Sequence, residues 1–322
     1  MFDNFDNTFP EKPQLKHKKK SGNSSKYFVV IALLFLLFSN VTATNYWIIL
    51  TFIGAVAFHE FGHFIGMRLF KYQEPNFMFY AWMADKAQRH LKPISQRHKI
   101  FTLQLGSTPG IIIGIILFMV ALNSGSEAFL WLSMIFIGVN MFSLLPIDPL
   151  DGGNIIRNLF FPKQQKPYLY FVLLSSLVVI LIGFYTGFYM VMILGFLMGI
   201  KVRTIQKNML IYDALESENI DYNKSYKNLS NREYWRIRSV FLDFNPKLES
   251  IIPSRFELWE NEALLTNQIK QLLKADIKLD ASPTVKIVSF TLYLACLLVP
   301  FYLLMSHYEE IIQILEKVNL NV

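Results

Sequence analysis

Thr51-Phe52-Ile53-Gly54-Ala55-Val56-Ala57-Phe58-His59-Glu60-Phe61-Gly62-His63-Phe64-Ile65-Gly66-Met67 is the stretch on which the reading of this chain turns. It is apolar over most of its length, yet two imidazoles and a carboxylate stand near its middle and no other charge precedes Arg68. Extended back to Tyr46, the run reaches the roughly 20 residues a helix needs to cross about 30 Å of hydrocarbon. On a helix, His59 and His63 lie at i and i+4 and share a face, close enough to hold one metal ion, and Glu60 follows the first of them directly. An unpaired acid at that depth costs about 2.5–3.5 kcal/mol. The three groups therefore predict partners and a function inside the membrane, in preference to a polar cluster that only locks helices together.

The remainder of the chain suits that reading. It has 322 residues, 53% hydrophobic and 17% charged, with 29 Phe against 15 Gly, too apolar for an ordinary soluble domain. Hydropathy predicts an all-α polytopic membrane protein of about seven transmembrane helices, near 27–43, 46–67, 102–122, 129–146, 167–183, 187–202 and 287–306. The expected organisation is a basic arm over 1–26, a membrane core over 27–202 holding about six spans, a small polar helical segment over 203–286, a final span over 287–306 and a tail over 307–322. Gly183 to Gly187 offers a turn that divides 167–202 into two spans, the alternative being one long tilted helix. Gly106, Gly110 and Gly114 form a row of small residues at four-residue spacing, the pattern of closely packed helices.

Net charge is +7, and its placement decides what that charge does. Lys and Arg are dense in 1–26, 67–100 and 157–166 and absent from 40–45, 123–128 and 184–187. This is the positive-inside alternation, so the charge orients the chain in a lipid bilayer and nucleic acid is excluded as a partner. The arm and 203–286 are then cytoplasmic and the tail after His307 lies outside, in a multi-pass protein of the cell membrane whose Lys, Asn, Ile and Phe usage suggests an AT-rich bacterium. Lys18, Lys19 and Lys20 with Val41-Thr42-Ala43 imitate a cleavable signal, but a second span follows so soon that an uncleaved first span is preferred. The single cysteine, Cys296, allows no intramolecular disulfide.

A catalytic zinc usually has three protein ligands and one open position. Position 69 is Leu69, so no third histidine follows His63 at that familiar spacing, and Glu74 falls in a basic, proline-containing stretch. Asp148 and Asp151 remain as the other acids at membrane depth. The predicted second and fourth spans run in the same direction, which brings both acids toward the end that carries His63. Pro146 and Pro149 break the fourth span there, and Gly152 and Gly153 allow a close turn. Asp151 is the favoured third ligand and Asp148 the alternative.

His59-Glu60-x-x-His63 in an early span, a glycine-rich span entered through Thr108-Pro109-Gly110, and Leu144-Leu145-Pro146-Ile147-Asp148-Pro149-Leu150-Asp151-Gly152 together resemble the site-2 protease family of intramembrane zinc metalloproteases. The resemblance covers roughly residues 45–157. It implies Zn2+ held by His59, His63 and Asp151, Glu60 as catalytic base, and a membrane-embedded peptide or protein as substrate. One position departs from the pattern: where the family usually has an asparagine that helps hold the substrate carbonyl, this chain has Ser143, and Asn140 one turn earlier is the other candidate for that role. The family's PDZ and CBS modules are not recognisable. Aromatic residues within 71–99, including Phe77, Phe79, Tyr80 and Trp82, suit either a re-entrant element or interfacial anchoring. Two rival readings are a catalytically impaired relative that binds membrane segments as a regulator, and a metal transporter.

Overall fold

The computed structural model describes residues 9–14, 46–71, 94–273 and 277–319. The expected first span at 27–43, most of the basic arm and the aromatic stretch 72–93 lie outside the described residues. In chain order the elements are α1 (Tyr46–Leu69), β1 (Ile94–Ser95), α2 (Gln96–Ser124), α3 (Glu127–Ser143), α4 (Asp151–Phe160), α5 (Gln165–Thr186), α6 (Tyr189–Ser217), a 3-10 turn (Tyr226–Asn228), α7 (Asn231–Asp243), α8 (Pro246–Glu249), α9 (Glu262–Leu272), β2 (Ile277–Lys278), α10 (Pro283–Ser306) and α11 (Tyr308–Asn319). The two-residue strands β1 and β2 pair as the one sheet among the described residues; the rest of the regular structure is helical.

Four helices are long and apolar enough to cross a membrane: Trp47–Leu69, Gln96–Ser124, Gln165–Thr186 and Pro283–Ser306. They coincide with four of the seven expected spans. A fifth, the apolar α3, has 17 residues, or roughly 25 Å at 1.5 Å per residue, and ends at Ser143 because Pro146 and Pro149 cannot continue it. The helix α6 runs unbroken from Tyr189 past Lys201 and Arg203 to Ser217, beyond the expected end of the span at 202. No Gly or Pro interrupts 201–217, so the helix has no local reason to stop where hydropathy falls. Between α5 and α6 the chain does turn at Gly187, whose φ of 71° lies in the left-handed region that glycine adopts without strain.

Two compact units divide the chain. One comprises Ser21–Ala84, Ser95–Pro162 and Leu279–Val322, the other Met1–Lys20, Asp85–Ile94 and Lys163–Lys278. In the first, α1, α2, α3, α4 and α10 surround a core of Met67, Ile100, Leu103, Ile111, Leu144, Ile155 and Leu159, with Tyr293 and Cys296 added from α10. Ser95 caps α2 by accepting from the His98 amide at 3.1 Å. The backbones of α1 and α2 approach so closely that a Cβ on Gly62 would overlap the Leu105 carbonyl. Tyr293 donates to the Leu144 carbonyl at 3.0 Å, which ties α10 to the point where α3 ends.

In the second unit, α5 and α6 form a hairpin in which Ser176 donates to the Gly195 carbonyl at 2.7 Å. The expected polar segment has a core of its own, built from Ile211, Leu215, Tyr234, Trp235, Ile237, Leu242, Leu265 and Ile269. Ser230 and Glu233 form a reciprocal capping box at the start of α7. Arg238, fully buried, makes a two-pronged ion pair with Glu262 at 2.9 and 3.0 Å and also donates to the carbonyls of Ser254, Arg255 and Glu257.

Candidate metal centre

His59, Glu60 and His63 lie in the C-terminal half of α1, where the helical repeat turns both imidazoles to one face. The rings cross almost at right angles, 88°, with centroids 4.7 Å apart. Asp151 is the first residue of α4. Its carboxylate is brought in because Gly152 and Gly153 stand where a Cβ would overlap the carbonyls of Leu144, Leu145 and Ile147; the chain can fold back on itself only without those side chains. Three atoms converge: His59 Nε2 and His63 Nε2 are each 3.0 Å from Asp151 Oδ2 and 3.1 Å from one another. The residues are 7%, 1% and 2% exposed, and Glu60 beside them 9%.

The outer hydrogen bonds decide which ring nitrogens carry protons. His63 Nδ1 lies 2.9 Å from the Thr102 carbonyl, which can only accept, so Nδ1 donates and a neutral His63 offers the Nε2 lone pair inward. His59 Nδ1 lies 3.0 Å from Asn140 Oδ1. The amide of Asn140 is oriented by its own donation, Nδ2 to the Phe136 carbonyl at 2.8 Å, and its oxygen therefore faces His59. Here too Nδ1 donates and Nε2 points inward. Two imidazole lone pairs and a carboxylate oxygen thus meet at about 3 Å, an arrangement that repels itself unless a cation or an added proton sits among them.

Two further oxygens await a partner: Glu60 Oε2 and Asp151 Oδ1 are buried with no hydrogen-bond partner among the described residues. The donor set, two imidazoles and a carboxylate, suits a borderline divalent cation, and His59, His63 and Asp151 are the group among the described residues that could hold one. Asp148 is 1% exposed and stands outside that group.

Neither candidate for holding a substrate carbonyl is open in this structure. Asn140, wholly buried on α3, has its oxygen on His59 and its NH2 on Phe136. Ser143 donates to the Asn140 carbonyl at 2.8 Å and meets Ser107 Oγ at 2.8 Å; its one proton serves the end of its own helix.

Sequence reasoning missed three contributors. Thr102 acts through its backbone carbonyl, which leaves no trace in residue identity. Gly106 and Gly110 were legible as packing residues, and a Cβ at each would overlap the His63 ring and the Asn140 amide respectively. The small-residue row on α2 is therefore the floor on which the His63 ring and the Asn140 amide rest. No protein-family model, curated protein or solved structure matches this chain.

Proposed function

We propose that the protein is an intramembrane zinc metallopeptidase of the site-2 protease type, hydrolysing peptide bonds in or near the membrane-spanning part of a peptide or protein. The observation that carries this reading is the convergence of His59 Nε2, His63 Nε2 and Asp151 Oδ2 at 3.0–3.1 Å, with the buried Glu60 carboxylate beside them. Zinc held by those three atoms supplies Lewis acidity toward water and toward a carbonyl oxygen. Glu60, one residue after the first ligand and with one carboxylate oxygen unpartnered, takes the proton of the attacking water and returns it to the leaving amine. Asn140 and the Thr102 carbonyl keep both imidazoles in the tautomer that presents Nε2. The irregular backbone from Leu144 to Leu150 leads into Asp151, and a substrate must be drawn out of its helix to reach the site, as a helical peptide bond is shielded by its own hydrogen bonds.

The same proposal includes about seven spans, with 1–26 and 203–286 in the cytoplasm and Zn2+ as resident metal. Supporting the membrane setting are the four long apolar helices and the large side chains they leave exposed, among them Leu177, Leu181, Phe184 and Leu298. The test is cleavage of a single-span peptide by purified protein in liposomes. The wild type is expected to cut it while Glu60→Gln retains its zinc and does not. Equal cleavage by both proteins removes Glu60 from the chemistry, and zinc uptake into the vesicles without cleavage points to transport instead.

A further inference from the structure

The unit that contains the polar segment also holds a stretch of chain far from it in sequence. Phe9-Pro10-Glu11-Lys12-Pro13-Gln14 has no regular secondary structure beyond a bend at Phe9. Its two prolines fix φ near −65° and bias Phe9 and Lys12, the residues before them, toward extended backbone. Such a segment has little conformational freedom to lose on binding and turns its carbonyls outward, which is what makes proline-rich peptides good ligands for aromatic grooves.

Every second feature of the segment is met by a matching group. Trp235 Nε1 donates to the Pro10 carbonyl at 2.7 Å and Tyr226 Oη to the Pro13 carbonyl at 2.8 Å. Between them, the Lys12 amide donates to Asn231 Oδ1 at 3.0 Å. The Lys12 ammonium has three N–H donors, and three carbonyls receive it: Tyr226 at 3.1 Å, Lys227 at 3.0 Å and Leu229. It also lies 5.5 Å from the centroid of the Tyr226 ring, within the range of a cation–π contact. Phe9 meets Phe256 edge to face at 5.7 Å. Glu11 and Gln14 point to solvent. Two proline carbonyls and a lysine are read, and the residues between are not.

The groove is built by the fold around it. The 3-10 turn and Leu229 just after it present the carbonyl oxygens of Tyr226, Lys227 and Leu229 to one point, and α7 contributes Trp235, which is wholly buried, together with Asn231. Burial pulls the Lys12 ammonium below its ordinary pKa, and the Glu233 carboxylate opposes this. We propose that this face of the polar unit is a recognition site for an extended Pro-x-Lys-Pro peptide and that Pro10-Glu11-Lys12-Pro13 of the same chain is its resident ligand, so that any partner peptide of this kind must first displace the N-terminal segment. This inference does not depend on the metal centre.

The test uses the full-length protein in detergent and a fluorescent synthetic peptide spanning residues 9–14, followed by anisotropy. Because a tethered ligand acts at an effective concentration of about millimolar, the wild-type groove is already filled. A chain carrying Pro10→Ala, Lys12→Ala and Pro13→Ala together should bind the added peptide about tenfold more tightly than wild type, and adding Tyr226→Phe should weaken that binding again. A peptide with Lys12→Ala should not bind. Hydrogen exchange over 231–243 checks that the altered chains keep α7 folded, and the single substitution Lys12→Ala serves if the triple one does not. In the wild type, amide exchange over residues 9–14 should be slower than in the free peptide. Absence of that protection, failure of the opened groove to take the peptide, or equal binding by opened and wild-type chains each overturns the proposal.

Discussion

Asn140 holds His59: the amide oxygen of the one lies 3.0 Å from Nδ1 of the other, and the donation from Asn140 Nδ2 to Phe136 leaves the amide no second orientation. Asn140→Ala is therefore expected to weaken metal binding about 10- to 100-fold, the usual cost of losing a group that orients a ligand, while Ser143→Ala leaves metal content unchanged. Competition with a zinc-selective chelator measures both. An Asn140→Ala protein that binds zinc as tightly as wild type would show that His59 needs no support from α3.

The three converging atoms make a sharper forecast for the ligands themselves. His59→Ala, His63→Ala and Asp151→Ala should each remove most of the metal found by elemental analysis, since each deletes one of three donors. Asp148→Asn, outside the convergence, should keep it. Full occupancy in Asp151→Ala combined with loss in Asp148→Asn would exchange the roles of the two acids.

Gly106→Ala sets a methyl group against the His63 ring. Backbone of two packed helices cannot yield easily, so the substitution should cost about 1–3 kcal/mol and displace the imidazole. Metal content and thermal midpoint should fall together. Gly138→Ala is the control, because nothing lies within 4 Å of a Cβ at that position.

Arg238 is irreplaceable by lysine if its five donations are what close the polar unit. Arg238→Lys retains the charge but has three donors on a flexible stem, which leaves part of Glu262 or the 254–257 carbonyls unmet. A loss of about 1–3 kcal/mol is expected for the buried groups left unsatisfied. Hydrogen exchange over 231–272 in the full-length protein reads it, and unchanged protection would assign Arg238 no structural role.

Orientation in the membrane follows from where the basic residues fall. With Cys296 replaced, Ser250→Cys, on an exposed surface residue, should resist an impermeant thiol reagent in intact cells and react after the membrane is opened. Labelling in intact cells would invert the arrangement.

What the sequence by itself determined is whatever depends on chain-local geometry. The i, i+4 spacing of His59 and His63 puts them on one face in any helix, the lengths of four apolar runs match four membrane-length helices, and Gly187 supplies a turn that few other residues tolerate. Ser143 and Asn140 show the limit. Their spacing on α3 left both as candidates for one role, and only the packed structure has Asn140 bonded behind His59 and Ser143 bonded to its own helix. Tertiary structure alone also separated Asp151, 3.0 Å from His63 Nε2, from Asp148, which stands outside the group, and turned the Thr102 carbonyl to Nδ1. Periodicity constrains neighbours a few residues apart, but contacts between distant segments are selected by shape, and here the shape is that of missing side chains, at Gly62, Gly106, Gly110, Gly152 and Gly153 among others.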